Sequence, residues 1–231
     1  MVVGAPHHGA SVATMPDDAP ALPEEPARPV EIATRHGLAR AYVRATDRPL
    51  GVLVLGHGAG GGVQAPDLLA VSAAARGDGW SVVLVEQPYR VAGKKVPPRP
   101  RVLDEAWCDV LAALRARDVG AVPDGVPLVT GGRSAGARVA CRTAEATGAA
   151  GVLALAFPTA PPGRPDLPSR LPELDQVTVP VLVVQGATDP YGVPPEGPGR
   201  RVVVVPGDHG LKKDVPGVVS AVRAWLAERT A

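Results

Sequence analysis

From residue 29 onward, short and wholly apolar runs alternate with longer stretches that place an apolar residue every three or four positions. Segments 30–34 and 39–45 alternate apolar and polar residues on either side of His36-Gly37, which predicts an opening hairpin. Runs at 51–55, 81–85, 126–131, 151–156, 181–184 and 201–205 read as strands, dominated by Val and Leu. Between them, helical spacing predicts helices over 66–76, 100–118, 135–147 and 214–229. Strands apolar on both faces and separated by helices imply a mostly parallel sheet covered on both sides, an α/β architecture. Residues 160–180 are Pro-rich and too short for a helical lid domain, and no internal repeat is visible.

Residues 1–28 lack any apolar period and are rich in Pro, Ala, Gly and acidic residues. Such a segment cannot bury enough surface to offset chain entropy, so a disordered tail is expected there, with one domain over 29–231. Met15 falls inside this tail and competes with Met1 as the start. The 231 residues carry a formal charge of +1, which provides no global field toward nucleic acid or an anionic membrane. Aromatic residues make up only 3%, too few for a base-stacking platform. With neither a long apolar span nor a signal-like leader, a cytoplasmic protein with no membrane partner is expected. Cys108 and Cys141 stand apart with no metal or redox spacing and read as small apolar side chains in a reducing compartment. Arg far outnumbers Lys, and Ala, Gly and Pro are abundant, a bias that fits a bacterial chain from a GC-rich genome.

Chemistry concentrates at Gly132-Arg133-Ser134-Ala135-Gly136, placed between a predicted strand and a predicted helix. A serine at such a turn must take a positive φ while helix and strand backbones crowd it, so only small residues fit two positions before and after. The turn lifts Ser134 Oγ above the sheet beside a helix N-terminus, where developing negative charge is favoured. Serine is a poor nucleophile at neutral pH and needs a base, which in turn needs a carboxylate to fix its tautomer. Ligands of parallel sheets bind outside the carboxyl ends of the strands. At those ends the chain offers His57, the Glu86–Arg90 stretch, Asp189 before Pro190, and His209 between glycines in Gly207-Asp208-His209-Gly210. Asp189 reads as the acid rather than an ordinary Asp-Pro turn, and His209 as the base rather than a surface-loop histidine. Asp208 is the rival acid, although neighbouring loop residues point in different directions. Backbone N–H groups of Ala59 and Ala135 are the expected donors to an oxyanion, with His57 bracing their loop. Tyr89 and five cations (Arg90, Lys94, Lys95, Arg99 and Arg101) follow the fourth strand. Tyr89, Arg90 and Arg133 are therefore candidates for substrate binding, with Arg90 best placed for an acidic substrate; a solvated loop is the alternative, and Arg133 is equally able to pair with a structural carboxylate.

Gly56 to Gly62, the run Gly-Gly-Arg-Ser-Ala-Gly-Ala-Arg-Val-Ala at 131–140, Gln185-Gly186-x-x-Asp189-Pro190-Tyr191-Gly192 and Asp208-His209 together resemble the small α/β-hydrolases related to dienelactone hydrolase. More narrowly they are similar to bacterial relatives of the testis-expressed and chromatin-complex-subunit hydrolase-like proteins. The resemblance covers about residues 29–231 and implies an α/β-hydrolase fold without a large lid. It further implies a Ser-Asp-His site at Ser134, Asp189 and His209, in the chain order of that fold. Dienelactone hydrolase has a cysteine nucleophile where this chain has Ser134. The expected activity is that of a serine carboxylesterase or thioesterase acting on small esters, needing no metal or organic cofactor. A catalytically silent interaction module and an acyltransferase using the same triad are the alternatives. Neither the natural substrate nor the oligomeric state is encoded in these motifs.

Overall fold

A computed structural model describes residues 29–116, 119, 121–164 and 166–230; the tail expected at 1–28 lies outside them. The strands are β1 (Pro29–Thr34), β2 (Gly37–Arg44), β3 (Val52–Gly56), β4 (Ser81–Glu86), β5 (Leu128–Arg133), β6 (Gly151–Leu155), β7 (Val181–Gly186) and β8 (Arg200–Val205). Helices α1 (Pro66–Gly77), α2 (Pro88–Val91), α3 (Pro100–Arg115), α4 (Ala135–Thr143), α5 (Leu171–Asp175) and α6 (Val215–Ala227) connect or follow them. One eight-stranded sheet runs in the order β1-β2-β4-β3-β5-β6-β7-β8. Only the β1–β2 and β2–β4 pairings are antiparallel; β4 through β8 run parallel.

The inner parallel strands β3 to β7 are mostly apolar because both faces are covered. Leu53, Leu55, Leu84, Leu153, Leu155 and Leu182 face a core completed by α1 and α6, including Trp225 and Leu226. Val52, Val54, Val83 and Val85 face the opposite core, where α3 contributes Trp107, Val110, Leu111 and Leu114. Toward the β8 edge, α4 and α5 close that second face over Val152, Ala154, Val181 and Val183. Alternating Leu and Val along β3 thus feed two separate cores, as the period-two geometry of a strand requires.

Several boundaries differ from the sequence expectation. β5 lies two residues later than expected, because Pro127 has no N–H and serves only as acceptor for Val52 N, at 2.9 Å. Pairing therefore continues into the turn, with Gly56 beside Gly132. α3 ends at Arg115, where Ala116 becomes extended at ψ 143°. The Pro-rich stretch after β6 folds one short helix, α5, and the cation-rich segment after β4 begins with another, α2. Both start on a proline within the first two helical positions, where the missing N–H is not needed. Among the described residues, no helix is long and apolar enough to cross a membrane.

Candidate active site

Ser134 occupies the turn between β5 and α4 at φ 53°, one of three non-glycine residues with positive φ among the described residues. Holding a serine there is costly, so the surroundings must over-determine it. Its amide donates to Leu155 O at 2.9 Å, tying the turn to β6. A methyl group on either Gly132 or Gly136 would collide with the carbonyl oxygen of Gly56, so both positions are restricted to glycine by the close approach of β3. The strain expected from the motif is thus present at this serine.

Ser134 Oγ lies 3.0 Å from His209 Nε2, and His209 Nδ1 lies 2.8 Å from Asp189 Oδ2. The three side chains named from the sequence therefore meet in one hydrogen-bonded line. Asp189 is buried at 7% exposure, and each of its oxygens is engaged. Tyr191 N donates to Oδ1 at 2.8 Å, while Gln185 Nε2 donates to Oδ2 at 2.7 Å. Gln185, fully buried at the end of β7, also donates to Phe157 O and Gly192 O, clamping the acid loop to the strand ends. The loop carrying His209 crosses directly over Gly186, where a methyl group would strike the Gly207 and Asp208 carbonyls. Tyr191 then packs its ring on the imidazole, with centroids 4.4 Å apart. Asp208 points elsewhere and accepts from Gly210 N at 2.8 Å, a loop-turn contact.

Ala59 and Ala135 both border the cavity above Ser134, and the amide of neither has a hydrogen-bond partner among the described residues. The Ala59 loop is held from two sides. Tyr89 Oη donates to Ala59 O at 2.8 Å, and burial pushes the phenol up to about 12, so it remains a donor. His57 Nδ1 donates to Gly58 O at 2.8 Å while its Nε2 accepts from Gln87 N at 3.1 Å. That pairing requires the neutral ring with its proton on Nδ1. Burial reinforces this by lowering the imidazole's proton affinity, although the Gly58 contact opposes the effect.

The three candidate substrate-binding residues are engaged in contacts within the protein. Arg133 Nε lies 3.0 Å from Asp67 Oδ2 at the start of α1, and its Nη2 donates to His209 O at 2.7 Å. Of its two sequence readings, the structural carboxylate is the one that the contacts favour. Tyr89 is spent on Ala59, and Arg90 Nη1 donates to Lys94 O within its own segment. None of Arg90, Lys94, Lys95, Arg99 and Arg101 lines the cavity of about 290 Å³ that contains Ser134. Its cationic wall consists instead of Arg138, Arg142 and Arg170, which sequence reasoning passed over. A larger cavity of about 640 Å³, bounded by Leu50, Trp80 and Arg223 among others, contains none of this chemistry. Among the described residues no cluster of His, Cys, Asp and Glu is arranged to hold a metal ion.

A family described as alpha/beta hydrolase domain matches residues 49–213. No curated protein matches the chain by sequence. Among solved structures, an α/β serine hydrolase homologue from Coxiella burnetii is 16% identical with a TM-score of 0.70, over 88% of this chain and 99% of that one. A lidless α/β serine hydrolase from Xanthomonas campestris is 19% identical with a TM-score of 0.66, over 91% and 97% of the two chains. Dienelactone hydrolase from Anabaena variabilis is 17% identical with a TM-score of 0.65, over 87% and 95%. At these identities the solved structures establish a shared fold. The matched segment takes in the Ala59 loop, the strained serine, the acid loop and His209, and on that match the chain belongs to the α/β-hydrolase family.

Proposed function

We propose that the protein is a serine hydrolase of the carboxylesterase or thioesterase type, acting on small acyl esters through Ser134, His209 and Asp189. The observation carrying this reading is the unbroken line Asp189–His209–Ser134, with contacts of 2.8 and 3.0 Å, ending at a serine held at φ 53°. Ser134 Oγ attacks the ester carbonyl as His209 Nε2 takes its proton. Asp189 holds the proton on Nδ1 and offsets the imidazolium charge. The Ala59 and Ala135 amides receive the carbonyl oxygen as it becomes an anion; each such donor supplies about 3 kcal/mol in comparable sites. Collapse of the tetrahedral species expels the alcohol or thiol, which takes the proton from His209. Water then repeats the sequence on the acyl-enzyme, releasing the acid and restoring Ser134.

The cavity's volume of about 290 Å³ favours small substrates over long acyl chains. The test is a panel of p-nitrophenyl esters of graded acyl length, run with the wild type and Ser134→Ala. Turnover should fall about 10⁵–10⁶-fold in the variant with the thermal transition retained. Turnover surviving in folded Ser134→Ala would transfer the chemistry to another nucleophile and refute the reading.

A further inference from the structure

The cavity that contains Ser134 is lined by three guanidinium groups, and only two of them are paired with carboxylates. Arg138 makes a two-pronged contact with Glu173, at 2.8 and 2.5 Å. Arg142 does the same with Asp104, at 2.8 and 2.6 Å, and its Nη1 reaches Glu173 at 3.0 Å. Glu173 and Asp104 thus balance Arg138 and Arg142. The guanidinium of Arg170 has no hydrogen-bond or ion-pair partner among the described residues, although it borders the same cavity as Ser134. One uncompensated positive charge therefore faces the space in which the substrate must lie.

The residue's placement is fixed from behind. Arg170 N donates to Thr159 O at 2.8 Å, and Thr159 N and Oγ1 both donate to Tyr191 O, at 3.0 and 2.6 Å. Tyr191 is the residue whose ring packs on His209 and whose amide holds Asp189. The backbone of Arg170 is therefore tied to the loop that positions the base. Burial first, then the neighbouring Arg138, disfavours its cationic form, and the opposing pull of Glu173 and Tyr191 does not fully offset them. An incoming anion adds the opposite charge that offsets this setting, and a planar guanidinium suits a carboxylate better than a lysine would.

We propose that Arg170 forms an anion subsite, so that the protein takes esters or thioesters bearing a carboxylate on the part lying in this cavity. The substrate class rests on the hydrolase reading; the anion site itself does not. Ser134 and Arg170 border the same cavity of about 290 Å³, so the carboxylate belongs on the part of the substrate that shares this cavity with the scissile carbonyl.

The test compares two substrates of equal length, the mono-p-nitrophenyl ester of glutarate and p-nitrophenyl valerate. The wild type should favour the glutarate ester in kcat/KM by tenfold or more. In Arg170→Gln that preference should fall at least tenfold, mainly through a higher KM for the charged ester. Arg170→Lys should retain a substantial part of the preference. Equal changes for both esters, or a wild type indifferent to charge, would overturn the proposal while Ser134 chemistry stands. Should Ser134 accept no fluorophosphonate and neither ester be cleaved, the hydrolase reading fails, and glutarate itself becomes the probe. Calorimetric titration should then show binding weakened at least tenfold in Arg170→Gln; equal binding, or none by the wild type, overturns the anion site.

Discussion

Replacing Arg133 with Met isolates a buried charge in a way that the structure makes quantitative. Asp67 is 1% exposed at the second position of α1, and Arg133 Nε, 3.0 Å away, is its ion-pair partner. Burial raises the Asp67 carboxyl above its ordinary range even with Arg133 opposing it. Methionine fills much of the same volume but leaves the carboxylate without a counter-charge, a change that typically costs about 3–5 kcal/mol. At about 2–4 °C per kcal/mol for a chain of this size, the transition should drop by roughly 6–20 °C at pH 8. The sign of the pH dependence follows from the raised carboxyl. Stability is lost as pH rises above the unfolded value near 3.9, at about 1.4 kcal/mol per unit, until the buried group ionises. At pH 5 the loss should therefore be limited to about 1.5 kcal/mol, because the carboxyl can keep its proton. Urea denaturation at both pH values reads this directly, and the double variant Asp67→Asn/Arg133→Met should recover most of the loss. A loss independent of pH, or a double variant no more stable than the single one, would refute the assignment of Arg133 to Asp67.

Gly136→Ala should be poorly tolerated, because its methyl group meets the Gly56 carbonyl rather than a movable side chain; about 1–3 kcal/mol of destabilisation is expected, read as a lower urea midpoint. Tyr89→Phe removes the donor to Ala59 O, and should cost about 1 kcal/mol of stability and lower kcat more than it raises KM. His57 is held neutral by burial, so the unfolded chain binds its proton first as pH falls. Its contribution to stability should be complete above about pH 6.5 and decline below it by up to about 1.4 kcal/mol per unit, a slope that His57→Asn should remove from denaturation curves.

The parts of the fold legible in the sequence are those governed by local period. Strands such as β3 and the Val181–Val184 part of β7 are apolar in succession because the sheet is covered twice, and their shortness and Val content separate them from a buried helix. Helices α2 and α5 escaped notice because four or five residues are too few for a period to register. At the site, Ser134, Asp189 and His209 were visible from their positions after strand ends. Gln185 carried a signal that went unused, a polar residue closing an otherwise apolar strand. Arg170 carried none, since its relation to Ser134 depends on how the loop after β6 packs against Tyr191. The same limit applies to Arg133. Its partner Asp67 lies on α1, far earlier in the chain, and only the folded chain brings the two within 3.0 Å.

The proposed chemistry makes one strained hydroxyl the nucleophile and two backbone amides the receivers of the oxyanion. A crystal structure of the protein after reaction with a small fluorophosphonate tests both at once. The expected result is a single covalent bond from phosphorus to Ser134 Oγ, with the phosphoryl oxygen about 3 Å from the amide nitrogens of both Ala59 and Ala135. An adduct on any other side chain, or a phosphoryl oxygen turned away from those two amides, would contradict it.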